Sequence, residues 1–262
     1  MLFKQIFKYL PQVQFWTLLG FALTVPFSKA LANIFIVSTA VLWLFQCFYK
    51  RKLLFPKTPL NGVIALFVLS LFISFLETNH LAMSIRGVSK ILQRLGFFFL
   101  TLQVLQSSNN LKRFFEILSL GYWIILISGL VQYFFGFDII RVRLAGAVNQ
   151  MPRITSSFEF PSQYAAYLCY MIFLYTMLFW DKSLEIARRI NYFALTLLGL
   201  ISLLLTYSRS GWIAFLGAAF LCVLFMKRTL LGMAGILSIA FLILMICPSN
   251  LLVHKSLSGK EQ

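Results

Sequence analysis

The arginine at position 209 is the residue whose setting most clearly suggests chemistry. It lies in the segment T-Y-S-R-S-G-W, residues 206–212, between two apolar runs. A guanidinium group can bind phosphate through two parallel hydrogen bonds, and a helix N-terminus beside it adds backbone donors. Because Ser210 and Gly211 lie where the second apolar run begins, the segment predicts an anion-binding site. The alternative is that Arg209 is an interfacial anchor beside Trp212.

A second basic group has helical spacing. Arg86, Lys90 and Arg94 are four residues apart, so on a helix they form one stripe. This stripe is predicted to descend from the outer surface into the apolar layer. Snorkelling of long side chains explains Arg86 and Lys90, whereas Arg94 lies two turns in, where a charge lines a cavity or meets a partner. Glu77 is the nearest candidate partner.

A third basic group lies in residues 136–161, between two apolar runs. It contains Arg141, Arg143 and Arg153, and the chain continues from Arg153 as R-I-T-S-S-F-E-F-P. The proline, Pro161, suits the first turn of the next helix, and the serines ahead of it offer hydroxyl groups to an anion. The alternative is a solvated loop with arginine–glutamate pairing.

The composition indicates the kind of protein that must position these residues. The chain has 262 residues, of which 60% are hydrophobic and 11% charged, whereas soluble domains have about 25% charged residues. The net charge of +16 comes from short basic clusters between apolar runs, which are typical of anchors beside membrane spans rather than of nucleic-acid binding. The four cysteines form no C-x-x-C motif and the two histidines are far apart, so we expect no metal site.

Nine apolar runs are candidate spans, although the first is short for one, so the predicted fold is an all-α polytopic membrane protein with about nine transmembrane helices. The runs are residues 13–27, 31–49, 60–76, 85–105, 114–135, 162–180, 192–207, 211–226 and 230–247. A cytoplasmic N-terminus puts a tight basic cluster in every inside loop, including Lys50, Arg51 and Lys52. The loop of residues 136–161, the segment around Arg209 and the tail of residues 248–262 then lie outside. We interpret the first run as an uncleaved span, the alternative being a signal peptide.

Two of these segments resemble a known family. The run T-Y-S-R-S-G-W-I-A, residues 206–214, resembles the T-x-S-R-[GS]-x-W signature of the O-antigen ligase and polymerase superfamily. Residues 153–165 resemble its R-x-x-G-x-F-x-x-P-N-x-x-A segment, with Ser156 in place of glycine and Ser162 in place of asparagine. Pro26, Phe27 and Ser28 ahead of the second run also fit. The similarity covers essentially the whole chain, as the N-terminal portion of such a protein.

The resemblance implies a function. Members of this family transfer a glycan from undecaprenyl pyrophosphate to lipid A–core, to another repeat unit or to protein, in the bacterial inner membrane and without a metal or other cofactor. Their arginines bind the pyrophosphate that leaves, and Arg209 matches the motif arginine. Arg153, Arg94, Lys90 and Arg86 are further candidates for binding pyrophosphate.

The resemblance also leaves questions open. The family's base is a histidine in a large periplasmic loop, which would follow about where this chain stops. We therefore interpret residues 1–247 as a transmembrane domain and residues 248–262 as the truncated start of that loop. No catalytic residue is assigned, and ligase activity is expected to need a second polypeptide. The alternatives are an O-antigen polymerase, a transporter of a lipid-linked sugar and a subunit that binds one.

Overall fold

The computed structural model describes residues 2–51, 56, 58–77, 81–138, 143–144 and 154–225. These residues form eight α-helices, a 3-10 turn at Ser74–Glu77, and two antiparallel two-residue strands, β1 (Phe137–Asp138) and β2 (Arg143–Leu144). The helices are α1 (Leu2–Thr24), α2 (Lys29–Lys50), α3 (Asn61–Ile73), α4 (Leu81–Val104), α5 (Ser108–Phe135), α6 (Pro161–Trp180), α7 (Ile186–Leu205) and α8 (Arg209–Phe225). The predicted helical fold is confirmed. The ninth predicted span and the tail lie outside the described residues.

Within the described residues, three helices are long and apolar enough to cross a membrane. They are Lys29–Tyr49, Ser108–Phe135 and Ile186–Leu205, and two shorter apolar helices are Asn61–Ile73 and Arg209–Cys222. About 20 predominantly apolar residues are needed to span the hydrocarbon core. The chain therefore has the helices of a membrane protein.

Several helices begin earlier than their apolar runs. Helix α1 begins at Leu2 rather than at residue 13 and contains Pro11, and α7 begins at Ile186 rather than at residue 192. The added turns carry polar and basic residues, such as Arg188 and Arg189 in α7. Helix formation needs continuous backbone hydrogen bonding rather than continuous hydrophobicity, so a helix can extend past the apolar layer.

The chain divides into two compact units, residues 1–121 and 122–262, with the boundary inside α5. In the first unit α1 packs against α2, and α4 packs against both. Trp43 of α2 donates from Nε1 to Oε1 of Gln103 in α4 at 2.9 Å. Lys29 and Lys90 line the same cavity, so these two helices run in the same direction with residue n of α2 roughly level with residue n + 60 of α4.

The second unit is built around aromatic side chains that α5, α6 and α7 contribute. Tyr122 and Tyr175 stack with ring centroids 5.3 Å apart, and Tyr175 stacks on Tyr192 at 5.5 Å. All three side chains are buried. Gly199 of α7 allows the close approach, because a Cβ there would collide with the Tyr122 hydroxyl. This aromatic core holds α6 and α7, and α8 packs against both.

Candidate anion-binding sites

The connection between α7 and α8 exposes Arg209 at the first position of α8. Helix α7 ends at Leu205, and Tyr207 takes a left-handed backbone conformation, with φ of 49°, before α8 begins. The Ser208 hydroxyl then accepts a hydrogen bond from the Gly211 N–H at 3.3 Å, which is the geometry of a helix N-cap. Arg209 and Ser210 are both exposed. The connection therefore places a guanidinium and a hydroxyl group at a helix N-terminus.

Hydrogen bonds fix the shape of this connection. Thr206 donates from Oγ1 to the Leu203 carbonyl at 2.7 Å and accepts from the Ser208 N–H at 3.3 Å. Trp212 donates from Nε1 to the same Leu203 carbonyl at 3.0 Å. The Leu203 carbonyl at the end of α7 thus gains two side-chain donors. The Ser208 N–H just before α8 gains a side-chain acceptor. The indole of Trp212 is anchored to α7, which restricts the start of α8.

The ring of Tyr207 lies beside the indole of Trp212. The two ring centroids are 6.4 Å apart. Partial burial, and secondarily the nearby Tyr133, raise the pKa of the Tyr207 phenol above its usual value. The phenol is therefore protonated at physiological pH.

The two segments that carry the family resemblance lie against each other. The N–H of Ile154 donates to the Leu205 carbonyl at 3.3 Å, and the Cys169 thiol lies 3.6 Å from the Gly211 carbonyl oxygen. Gly211 is so close to α6 that a Cβ there would lie 2.5 Å from the Ala165 methyl group. Residues 154–165 and 205–212 are thus parts of one local structure.

Ser156 has the backbone conformation that glycine favours. Its φ is 47°, and its side chain is fully buried. The Ser156 N–H and the Thr155 N–H both donate to Oε1 of Gln132, at 2.8 and 2.9 Å. The Ser156 hydroxyl donates to the Ile125 carbonyl at 3.0 Å. Gln132 and Ile125 of α5 therefore hold the segment that leads into α6.

Two of the predicted basic residues of the loop lie outside the described residues, namely Arg153 and Arg141. Arg143 forms the backbone pair of β2 with Asp138. The predicted pyrophosphate-binding role of Arg153 therefore stays a prediction.

In the first unit, Lys90 and Arg94 line a cavity of about 640 Å³. The N-terminal turns of α2 supply the facing wall, including Lys29 and Asn33, and Gln93 adds a second amide. No carboxylate lines this cavity in the part of the chain that the structure describes. A space with three cations and two amides, among mostly apolar walls, suits a ligand that carries more than one negative charge.

The cavity explains the position of Arg94, which the sequence placed within the apolar layer. Arg94 shares its cavity with Lys29, the first residue of α2, and both are exposed. By the register of the two helices, Arg94 is level with about residue 34 of α2, between one and two turns from the start of that helix. Arg86, two turns earlier on α4, is not among the residues that line the cavity, and the side chain of Glu77 lies outside the described residues.

Lys29 is the site residue that sequence reasoning missed. It is separated from the basic stripe of α4 by about 60 positions, and no periodic pattern relates the two. The signal that could have found it is its place directly after Pro26, Phe27 and Ser28, at the predicted outer end of a span. Ser28 caps α2 by accepting from the Leu31 N–H at 3.4 Å, which places Lys29 in the first turn.

A scan against models of protein families, a search of characterised proteins and a search of solved structures each found no match to this chain.

Proposed function

We propose that the chain is a membrane glycan ligase of the O-antigen ligase and polymerase type. It would transfer a glycan from undecaprenyl pyrophosphate to an acceptor such as lipid A–core, in the bacterial inner membrane. The observation that carries the proposal is the contact between residues 154–165 and 205–212, the two segments on which the resemblance depends. Ser156 adds support, since its left-handed backbone conformation explains why related sequences would have glycine there.

We infer that the chain crosses the membrane about nine times with its N-terminus in the cytoplasm. Eight of the nine apolar runs coincide with helices. In this orientation thirteen of the 23 basic residues lie inside, with a tight cluster in each inside loop, and ten lie outside. In this orientation the connection between α7 and α8 faces the outside. The first turn of α2, with Lys29, then lies on the same side.

In the reaction, the acceptor hydroxyl would attack the anomeric carbon of the donor glycan. The bond from that carbon to the diphosphate breaks, and the diphosphate leaves on the polyprenol while the acceptor proton passes to a base. We propose that Arg209 binds the leaving diphosphate, with the helix N-terminus and the Ser210 hydroxyl beside it. Lys90 and Arg94 offer a second cationic surface for the same class of ligand. The resemblance places the base in a large external loop, and no described residue is assigned to that role.

Replacement of Arg209 tests the proposal. The Arg209→Ala substitution is introduced at the native chromosomal locus, and surface polysaccharide is measured by gel electrophoresis. Loss of one charge-stabilising donor lowers transfer by about 100-fold. The matched control is Arg113→Ala, an exposed arginine at the opposite predicted side of the membrane, which should leave transfer unchanged. Normal surface polysaccharide in the Arg209→Ala strain contradicts the proposal.

Labelling tests the orientation. In a chain whose native cysteines are replaced by serine, Ser210→Cys should react in intact spheroplasts with a maleimide that does not cross membranes. Ser183→Cys, in the connection between α6 and α7, should react only after lysis. The reverse pattern would place Arg209 in the cytosol and overturn the proposed mechanism.

A further inference from the structure

In the core of the second unit, α5, α6 and α7 each contribute one buried hydroxyl group. The three belong to Ser128, Tyr164 and Ser202, whose side chains are 2% exposed or less. None of these oxygens has a hydrogen-bond partner in the part of the chain that the structure describes. A buried hydroxyl without a partner is destabilising, and lipid around the helices cannot supply one. The three hydroxyl groups therefore call for a common partner.

Contacts of Tyr164 bring the three helices together at one level. Its hydroxyl lies against α5 at Gly129, where a Cβ would be 2.8 Å from the phenol oxygen, and Gly129 directly follows Ser128. The Ser202 hydroxyl of α7 lies beside that of Tyr164, but the two do not reach hydrogen-bonding geometry. Tyr164 thus extends from α6 to the turns of α5 and α7 that carry the two serines.

The two serines of this cluster differ from other hydroxyl residues in the helices. Thr196 and Ser119 each donate to a backbone carbonyl three or four residues earlier, at 2.9 and 2.8 Å. Such a bond satisfies a hydroxyl within its own helix. Ser128 and Ser202 do not make it, so their hydroxyl groups are available to a partner outside their own helices.

The chemistry of the cluster selects a small neutral partner. The parts of the three helices around it, residues 117–135, 161–180 and 190–205, contain no charged side chain. An ion bound there would be buried without a counter-charge, which is strongly unfavourable. Each hydroxyl can both donate and accept, so the partner must do the same. Water fits, because a buried water makes about three hydrogen bonds to polar groups that are otherwise unsatisfied.

We propose that an ordered water molecule binds among the hydroxyl groups of Ser128, Tyr164 and Ser202 and joins α5, α6 and α7. The water is a structural part of the core, and it is held by side chains from three helices. The site does not depend on glycan transfer, so the inference goes beyond the proposed function and is tested without it.

The water site lies one turn inside the connection that carries Arg209. Gln132 follows Ser128 by one turn in α5, and Thr206 follows Ser202 by one turn at the end of α7. A water that fixes the spacing of α5 and α7 at this level also fixes the base of that connection.

Tyr122 provides a matched comparison within the same core. Its hydroxyl is also buried and has no hydrogen-bond partner among the described residues. It lies against Gly199 near Ile172, and neither of these residues has a hydroxyl group with which to share a water. Tyr122 is therefore a buried tyrosine outside the proposed site.

Removal of a hydroxyl has opposite effects on a bridged group and on an unpaired one. Tyr164→Phe keeps the ring that stacks on Phe158 at 5.6 Å and removes only the oxygen. With the water bound, Tyr164→Phe and Ser202→Ala should each lower the Tm in detergent by about 2–4 °C. The double variant should lower the Tm no further than the larger single effect, because either change breaks the same bridge. Tyr122→Phe should leave the Tm unchanged.

Two results of this experiment would overturn the proposal. An unpaired hydroxyl is better removed than kept, so a Tm that is unchanged or raised by Tyr164→Phe shows that no water binds there. Additive losses from Tyr164→Phe and Ser202→Ala show that the two hydroxyl groups do not share a water. Each variant is first shown to elute from size exclusion as the unaltered protein does.

Radiolytic labelling detects the water itself. X-ray pulses convert bound water to hydroxyl radicals, which oxidise the side chain beside it, and mass spectrometry of the protein in water labelled with heavy oxygen identifies the source of the added atom. Tyr164 should be oxidised several times faster than Tyr122, although both side chains are fully buried. Ser202→Ala should remove the difference. Equal oxidation of the two tyrosines in the unaltered protein overturns the proposal, whatever the unfolding experiment gives.

Discussion

Gly199 shows how a single hydrogen atom in place of a side chain sets the packing of the aromatic core. A Cβ at this position would meet the Tyr122 hydroxyl and would lie 2.9 Å from Cγ1 of Ile172. The Tyr122 hydroxyl is buried and has no hydrogen-bond partner in the part of the chain that the structure describes. The tyrosine ring therefore contributes packing, whereas its oxygen contributes little.

We predict that Gly199→Ala lowers the free energy of unfolding by about 1–3 kcal/mol, because it overpacks the core. Tyr122→Phe should be close to neutral, and combining it with Gly199→Ala should restore part of the loss, since the contact with Ile172 remains. Gly217→Ala is the control, because its Cβ would meet open space. Thermal unfolding in detergent gives all four values, and additive effects of Gly199→Ala and Tyr122→Phe would contradict the packing.

The left-handed backbone of Ser156 predicts that the variants Ser156→Gly and Ser156→Ala differ in stability. At a φ of 47° a Cβ costs about 1 kcal/mol, and the Ser156 hydroxyl offsets this through its bond to the Ile125 carbonyl. Ser156→Gly removes both the backbone strain and the hydrogen bond, so its free energy of unfolding should be close to that of the unaltered protein. Ser156→Ala keeps the strain and loses the bond, so it should be less stable than Ser156→Gly by about 1 kcal/mol in the same unfolding assay. Equal stability of the two variants would refute this account.

Asp181, between α6 and α7, gives a pH-dependent prediction. The Ser183 hydroxyl and then the Ser183 N–H, which donates at 2.9 Å, hold the pKa of the Asp181 carboxyl below its ordinary value. Because the folded pKa is lowered, the stabilisation is present above the ordinary carboxyl pKa and is lost as the pH falls through the lowered one. Ser183→Ala should raise the Asp181 pKa toward its ordinary value. A carbon-13 titration of labelled aspartate measures it, since the chain has only one other aspartate, Asp138.

At the scale of elements, α1 and α2 are joined by hydrogen bonds between side chains. Gln46 donates from Nε2 to Oε1 of Gln14 at 2.8 Å, and Thr39 donates to the Thr17 hydroxyl at 3.0 Å. Within a membrane the hydrophobic effect does not drive helices together, so such polar contacts and close packing do. Gln14 and Gln46 are both buried.

We predict that Gln46→Leu destabilises the packing of α1 on α2 by about 0.6 kcal/mol, and by no more than about 1.7 kcal/mol. The double variant with Gln14→Leu should recover part of this loss, because no buried amide then lacks its partner. Gln12→Leu, on the exposed side of α1, is the control. Unfolding in sodium dodecyl sulfate measures each variant, and a larger effect at Gln12 than at Gln46 would rule out the contact.

The helices themselves were predictable from hydrophobicity, but their ends were not. Eight apolar runs became helices because apolar residues in a membrane must satisfy their backbone hydrogen bonds locally. The early start of α7 at Ile186 depends instead on polar residues, and Arg189 shows why. It donates from Nε to the Phe179 carbonyl at 3.0 Å, which satisfies the end of α6 through a contact that no sequence pattern encodes.

At the scale of the whole molecule, the two candidate sites differ in how far apart their residues are in the sequence. A site made of sequence neighbours can be recognised from the sequence, whereas a site made of distant residues cannot. The Arg209 connection was recognisable because its serines, glycine and tryptophan are neighbours in sequence. The pairing of Lys29 with Lys90 and Arg94 depends on how α2 packs against α4, which the contact between Trp43 and Gln103 fixes. Residue types alone contain no information on that register.

The register of α2 and α4 has one more consequence. Since Lys29 is level with about residue 89, the first eight residues of α4 extend roughly 12 Å past the start of α2. This stretch includes Met83 and Arg86, and both side chains are exposed. The exposed guanidinium of Arg86 is therefore held beyond the first turn of α2, outside the set of residues that line the cavity with Lys90 and Arg94.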